Sequence, residues 1–261
     1  MAADNASAIR ATRLCELHQA PEILTLVNVW DAITARVIAD LPGTTALATA
    51  SHSIAAAAGY PDGEVISLEE MLAAVARIVA ATDLPVSADL EAGYGDPGET
   101  VRRAIGVGVV GANLEDQLRP LADAVRAVEA VVAAGEAEGV PFVLNARTDA
   151  FLRAANRPPA DVLADAIERG RAFLAAGATA VFVPGKLDEP TVGALVQAFG
   201  PQKLSLIAVP GSLSVSEMEY LGVARVSTGP WSQRVALTAL ADAASALLAG
   251  GTISATTRVL S

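Results

Sequence analysis

Cysteine occurs once in 261 residues, at Cys15, so the chain has no intrachain disulfide framework and lacks the thiolates for a cysteine-built zinc site. A reducing compartment is the expectation. Basic residues are the next shortage, because 18 Lys and Arg stand against 29 Asp and Glu for a formal net charge of −11. A chain so acidic lacks the positive footprint that neutralises phosphates, which excludes nucleic acid and anionic membrane surfaces as expected partners. Long apolar runs are missing too. Charged and polar side chains are scattered from Met1 to His18, where a secretory leader needs an apolar core. The longest uncharged stretch, Leu41 to Pro61, is broken by Pro42, Gly43, His52 and Gly59, whereas a membrane span needs about 20 apolar residues. A cytoplasmic location is expected. There is no linker-like segment, no phosphate-binding P-loop and no serine in a nucleophile-elbow pattern.

What is present is a chain 52% apolar and 18% charged, sufficient for a large core and too apolar for charge-driven disorder. Short apolar and β-branched runs alternate with longer Ala-rich stretches, the pattern of repeated βα units. Strands are predicted at Leu24 to Val29, Thr45 to Thr49, Pro85 to Leu90, Val109 to Leu114, Phe142 to Ala146, Ala180 to Val183, Leu204 to Val209 and Ala224 to Val226. A helix is predicted after each, at Asp31 to Asp40, Leu68 to Ala81, Gly98 to Gly106, Leu121 to Glu138, Ala160 to Ala176, Glu189 to Phe199, Val215 to Leu221 and Ser232 to Ala249. Eight such pairs imply a (β/α)8 barrel, one domain over 1–261 with its core at about 22–250; a doubly wound sheet is the competing arrangement. A further helix from about Ala6 to His18, carrying Cys15 and His18 as packing or surface residues, precedes the barrel. Ser67 with Glu70 and Ser214 with Glu217 read as capping boxes, and Gly177, Gly200 and Gly222 as helix ends. Gly106 to Gly111 spells G-x-G-x-x-G, but it follows a helix and enters a strand, the reverse of a dinucleotide site.

Chemistry in such a barrel is built at the C-terminal strand ends. Those ends carry Asn28 and Asp31, then Ser51-His52-Ser53, Asp89-Leu90-Glu91, Glu115-Asp116, and Asn145-Ala146-Arg147-Thr148-Asp149; the last three strands end in Pro184-Gly185-Lys186, Pro210-Gly211-Ser212 and Ser227-Thr228-Gly229. Asp89 and Glu91, two apart, are expected on one face of their strand, with Glu115 or Asp116 arriving alongside. Clustered carboxylates call for a hard divalent cation, and Mg²⁺ is the expected cofactor. Arg147 suits two-pronged capture of a substrate carboxylate, and His52 is the best proton donor near the mouth.

The runs Asn28-Val29-Trp30-Asp31, Ala88 to Gly95, Asn113 to Asp116 and Asn145 to Phe151 resemble the isocitrate lyase and phosphoenolpyruvate mutase superfamily. The resemblance implies a barrel whose eighth helix is often swapped with a partner subunit, commonly in a homotetramer, acting on small 2-oxo or 2-hydroxy acids with Mg²⁺. It makes Asp89 the direct metal ligand and Glu91, Glu115 and Asp62 the carboxylates that hold the metal through water. It also makes Arg147, with Asn145, the grip on the substrate carboxylate, and the backbone at Ala50, Ser51 and His52 the loop that orients the 2-oxo end. Glu115 joins Arg147 and His52 in the expected catalytic set.

Four features depart from that pattern. The Lys-Cys-Gly-His motif of isocitrate and methylisocitrate lyases is absent, and Glu115-Asp116-Gln117-Leu118-Arg119-Pro120 leads almost at once into a helix. Gln117 stands in place of the mutase lysine, Pro184 in place of a histidine, and the gating loop is short. The leading expectation is a Mg²⁺-dependent lyase or hydrolase that breaks a C–C bond of a small 2-oxo or 2-hydroxy (di)carboxylic acid, such as an oxaloacetate-like or alkylmalate-like substrate, through an enolate. C–P chemistry on a phosphonopyruvate-like substrate, using Arg119, Arg153 and Lys186, is the runner-up, and a catalytically silent 2-oxo acid binding protein is the alternative outside enzymes.

Overall fold

Nine parallel strands make one sheet in the computed structural model, which describes residues 5–260. They are β1 (Leu24–Leu26), β2 (Asn28–Val29), β3 (Leu47–Thr49), β4 (Val86–Asp89), β5 (Gly111–Glu115), β6 (Val143–Arg147), β7 (Ala180–Phe182), β8 (Leu204–Ile207) and β9 (Arg225–Ser227). Neighbours run in the order β1-β9-β8-β7-β6-β5-β4-β3-β2. Only Val27 separates β1 from β2; β1 pairs with β9 and β2 with β3, so one kinked strand joins both edges. This is a (β/α)8 barrel with its first predicted strand split in two. Asn28 fastens the seam, donating from Nδ2 to Thr49 O at 2.7 Å and accepting at Oδ1 from the amides of Thr228 and Gly229.

The helices are α1 (Asn5–Gln19), α2 (Ala32–Ala39), α3 (Ser51–Ala57), α4 (Leu68–Val79), α5 (Pro97–Gly106), α6 (Leu121–Ala137), α7 (Pro159–Ala175), α8 (Glu189–Phe199), α9 (Val215–Tyr220) and α10 (Trp231–Leu248). Asp31, Ser67, Asp96, Asp188 and Ser214 each cap a helix by accepting an amide of its first turn. Of the two predicted boxes, Ser214 and Glu217 close one reciprocally, whereas Ser67 Oγ donates to the Glu70 carboxylate. Helix α3 is an addition to the predicted set. Ser51-His52-Ser53, expected as a strand end, forms its first turn because the alanines that follow favour helix.

Strand side chains alternate between a helix-facing apolar layer and the barrel interior. Ala88, Leu114, Val181 and Val226 are buried in the apolar layer, with Val75, Val128, Val192 and Leu195 of the helices. The interior is polar instead, with Ser87, Asn113, Asn145, Ser205 and Arg225 all buried where barrels of this kind commonly stack branched aliphatics. Helix α1 closes the bottom: a Cβ on Gly111, at the start of β5, would lie 2.8 Å from the Leu14 side chain. His18 is buried, its Nδ1 2.8 Å from Leu14 O, and Cys15 Sγ reaches Pro141 O at 3.4 Å. No helix among the described residues is long and apolar enough to cross a membrane.

Candidate active site

The C-terminal mouth holds a cavity of about 270 Å³. Asp89, the last residue of β4, lines it. Its amide donates to Thr49 Oγ1 at 3.0 Å, and its Oδ2 accepts from Ser51 N at 3.1 Å and Ser51 Oγ at 2.8 Å. The first turn of α3 therefore aims the carboxylate. Oδ1 takes no hydrogen bond from any described residue.

Glu91 does not sit as predicted. The strand ends at Asp89, and Glu91 adopts φ 51°, so alternation along a strand no longer decides where it points. It is buried, and Tyr94 Oη donates to its Oε1 at 3.3 Å. Burial, then the Asp89 and Asp62 carboxylates, push its pKa up to about 7. The turn that places it is held by Glu64, whose Oε1 accepts the amides of Ala92 at 3.1 Å and Tyr94 at 2.7 Å. Gly93 is required in this turn, because at φ 94° an added Cβ would lie 2.8 Å from Pro97.

Glu115 closes β5, and its Oε2 lies 2.7 Å from Arg147 Nη1. Burial still raises it to about 7 against the pull of Arg147, with Asp149 and Asp89 adding to the rise. Arg147 also donates from Nε to Asp149 Oδ1 at 2.7 Å. Asp116 is structural: its Oδ1 accepts the amides of Leu118 and Asp149 and its Oδ2 pairs with Arg169. Gln117 and Leu118 take φ 50° and 53° to turn the chain into α6, so the loop is as short as the sequence implies.

Below the mouth the interior polar layer is joined. Asn113 Oδ1 accepts from Asn145 Nδ2 at 2.8 Å and from Arg225 Nη2 at 3.3 Å, while Arg225 Nη1 reaches Ser87 Oγ at 3.3 Å. Complete burial lowers Arg225 to about 10, which leaves it charged at neutral pH.

Of the predicted site residues, the cavity wall gathers Ala50, Ser51, His52, Asp62, Asp89 and Arg147. Glu91, Glu115 and Asn145 are not on it. Glu115 is turned to Arg147, Glu91 to Tyr94, and Asn145 to Asn113 and Ser205 one layer deeper. Among the described residues no three His, Cys, Asp or Glu side chains converge closely enough to hold an ion together. The Ser51 amide, expected to orient a 2-oxo group, is committed to Asp89. The buried Nδ1 of His52 has no partner among the described residues. Sequence reasoning missed Glu64, Asn113 and Arg225. A charged residue inside a strand of a closed barrel has only the interior or the helix layer to enter, and that was the signal for Arg225.

A parallel barrel with a carboxylate and an arginine at its C-terminal mouth is the arrangement that the resemblance to the isocitrate lyase and phosphoenolpyruvate mutase superfamily implies, and the comparisons show that membership. The chain belongs to the phosphoenolpyruvate phosphomutase family, whose model matches residues 14–248. An uncharacterized protein of Mycobacterium tuberculosis is 32% identical over 90% of this chain and 88% of its own length. The oxaloacetate decarboxylase of Paraburkholderia xenovorans is 30% identical over 93% of this chain and 83% of its own. The structure of an oxaloacetate acetylhydrolase in complex with the product oxalate superposes with a TM-score of 0.83 at 26% identity, covering 94% of this chain and 89% of that one. The chain is accordingly an enzyme of the carbon–carbon lyase and mutase kind.

Proposed function

We propose that the chain breaks a C–C bond of a small 2-oxo or 2-hydroxy acid, with Mg²⁺ at Asp89 and the substrate carboxylate at Arg147. The observation that carries this reading is Asp89 itself, half-buried on the cavity wall with Oδ2 locked by Ser51 and Oδ1 free. The donor set fits the ion. Mg²⁺ commonly takes only one or two carboxylates and keeps several waters, so a three-residue cluster is not required. Glu91, Glu115 and Asp62 would hold it through water. Two carboxyls raised to about 7, Glu91 buried and Glu115 partly buried, mark a place short of positive charge. Bound there, the ion would neutralise negative charge on the substrate oxygens.

The chain's own residues do the rest. Arg147 keeps Nη2 clear of its two ion pairs and orients the carboxylate, while Glu115 and Asp149 fix the guanidinium plane. For a 2-oxo acid carrying a second carboxyl on C3, the C3–C4 bond breaks with C4 departing as carbon dioxide, the electron pair stays on C3, and His52, facing the cavity, supplies the proton that quenches it. The short loop after β5 is tied down by Asp116 and keeps water out less completely than a long lid. Resemblance to a homotetrameric superfamily and the exposure of α10 support a homo-oligomer. The test is release of the 2-oxo fragment from a panel of 2-oxo and 2-hydroxy acids. Turnover should vanish in chelator, return with Mg²⁺, and be absent in Asp89→Ala; turnover that survives both chelation and that substitution refutes the metal reading.

A further inference from the structure

Anionic oxygens in the mouth meet few cations. Among the described residues Arg147 is the one Lys or Arg that lines the cavity, and two of its nitrogens already face Glu115 and Asp149. The neighbouring cations are directed elsewhere. Arg119 donates to the carbonyls of Asp116 and Glu115, Arg153 pairs with Asp149 at 3.5 Å, and Lys186 extends its Nζ over Gly211. Neutral donors on the wall therefore matter, and two of the polar side chains there are already committed. Asn28 gives its Nδ2 to Thr49 O, and Ser51 gives both its amide and its hydroxyl to Asp89.

Asn113 differs from both. It sits in the middle of β5, in register with Asp89 of β4 and Asn145 of β6, and it lines the cavity although it is only 6% exposed. Its Oδ1 accepts from Asn145 Nδ2 at 2.8 Å and from Arg225 Nη2 at 3.3 Å, while its Nδ2 donates to no described residue. Arginine carries donors and no acceptor, so the atom of the amide that faces Arg225 has to be the oxygen. The NH2 group is thereby turned away from the buried layer, and its unpaired nitrogen is not sealed from solvent. Arg225 is completely buried, and its charge pulls on Oδ1, which polarises the amide and makes Nδ2 a stronger donor.

Resting on the proposed seating of a 2-oxo acid at Asp89 and Arg147, we infer that Asn113 is a further substrate-binding residue, whose Nδ2 donates to an oxygen of the 2-oxo acid end. Its strand lies between those that carry Asp89 and Arg147, and all three side chains border one cavity. Negative charge grows on that end of the substrate as the C–C bond breaks, and a donor already fixed in direction favours it without reorganisation.

The test is calorimetric binding of oxalate to the full chain in Mg²⁺. Asn113→Asp keeps an oxygen toward Arg225 and Asn145 and removes the cavity donor; Asn113→Ala removes the donor without adding charge. Each should weaken oxalate binding about tenfold or more, as expected for a lost hydrogen bond to a charged group, with circular dichroism to check that each variant is folded. A crystal structure of the native chain with oxalate and Mg²⁺ frees the test from the variants: Nδ2 should lie about 2.7–3.2 Å from an oxalate oxygen. Undiminished oxalate affinity in folded Asn113→Ala, or a complex in which Nδ2 meets no oxalate oxygen, overturns the inference and leaves Asp89 and Arg147 standing. Failure of the native chain to bind oxalate overturns the seat of the acid itself, and the inference with it.

Discussion

At the scale of single residues, Arg147 does two things that a lysine cannot do at once. Its Nε and Nη1 are held by Asp149 and Glu115 at 2.7 Å each, and Nη2 remains for a ligand. An ammonium is a point charge without that fork. Arg147→Lys is expected to lower kcat/KM by about a hundredfold, roughly 2.7 kcal/mol of lost transition-state binding; steady-state kinetics that match wild type would contradict the assigned grip. Asn113 is tested by stability. Asn113→Ala strips the acceptor from Asn145 Nδ2 and Arg225 Nη2 inside the barrel, and denaturant unfolding should show a loss of about 2 kcal/mol or more. Asp89 and Arg147 were legible in the sequence because each ends a strand, where direction is fixed by alternation. Glu91 was not, since its left-handed backbone lies beyond the strand and is held by Glu64, a residue distant in sequence. The Arg225 layer was legible only in part: a charge inside a barrel strand marks Arg225, but its partners Ser87 and Asn113 lie on strands 112 residues or more away in sequence.

Among the elements, α1 is the one whose role the sequence left open. Periodicity marked a helix, and the structure shows it plugging the barrel with Leu14 and His18. Burial, then the nearby Arg225, keep the His18 imidazole neutral and lower its pKa from 6.5 to about 3. The unfolded chain takes up that proton near 6.5, so between the two values the unfolded state binds more protons than the folded one. The stability contributed is complete above about pH 6.5 and falls as pH drops toward 3, by at most about 1.4 kcal/mol per pH unit. In urea titrations at several pH values, His18→Gln should flatten the wild-type slope across this window; identical slopes would contradict the placement of His18. The strand and helix order was readable because several βα units carry their own caps, at Asp31, Ser67, Asp96, Asp188 and Ser214, and glycines follow several helix ends. Helix α3 escaped because a run of small residues after a strand reads equally well as a loop, and contact with β4 through Ser51 and Asp89 settles it.

For the whole molecule, the proposed assembly rests on α10. Periodicity could not say whether its apolar residues pack on their own barrel or on another. Only Gln233, in its first turn, is buried, while Leu237 and Leu240 are 54% and 65% exposed. An apolar stripe left uncovered on an 18-residue helix fits contact with a second copy. Sedimentation velocity should find an oligomer for the native chain and smaller species for Leu237→Glu with Leu240→Glu; a native monomer would contradict that assembly.

A ligand that binds the native mouth and not the unfolded chain stabilises the folded protein by mass action and raises its melting temperature. The decisive measurement is the thermal shift with oxalate and Mg²⁺ together, each alone, and in Asp89→Ala. The pair should stabilise the native chain well beyond the effect of each alone, and Asp89→Ala should erase the joint shift. An equal shift with oxalate in chelator, or no shift with the pair, would contradict a metal-assisted 2-oxo acid site at this mouth.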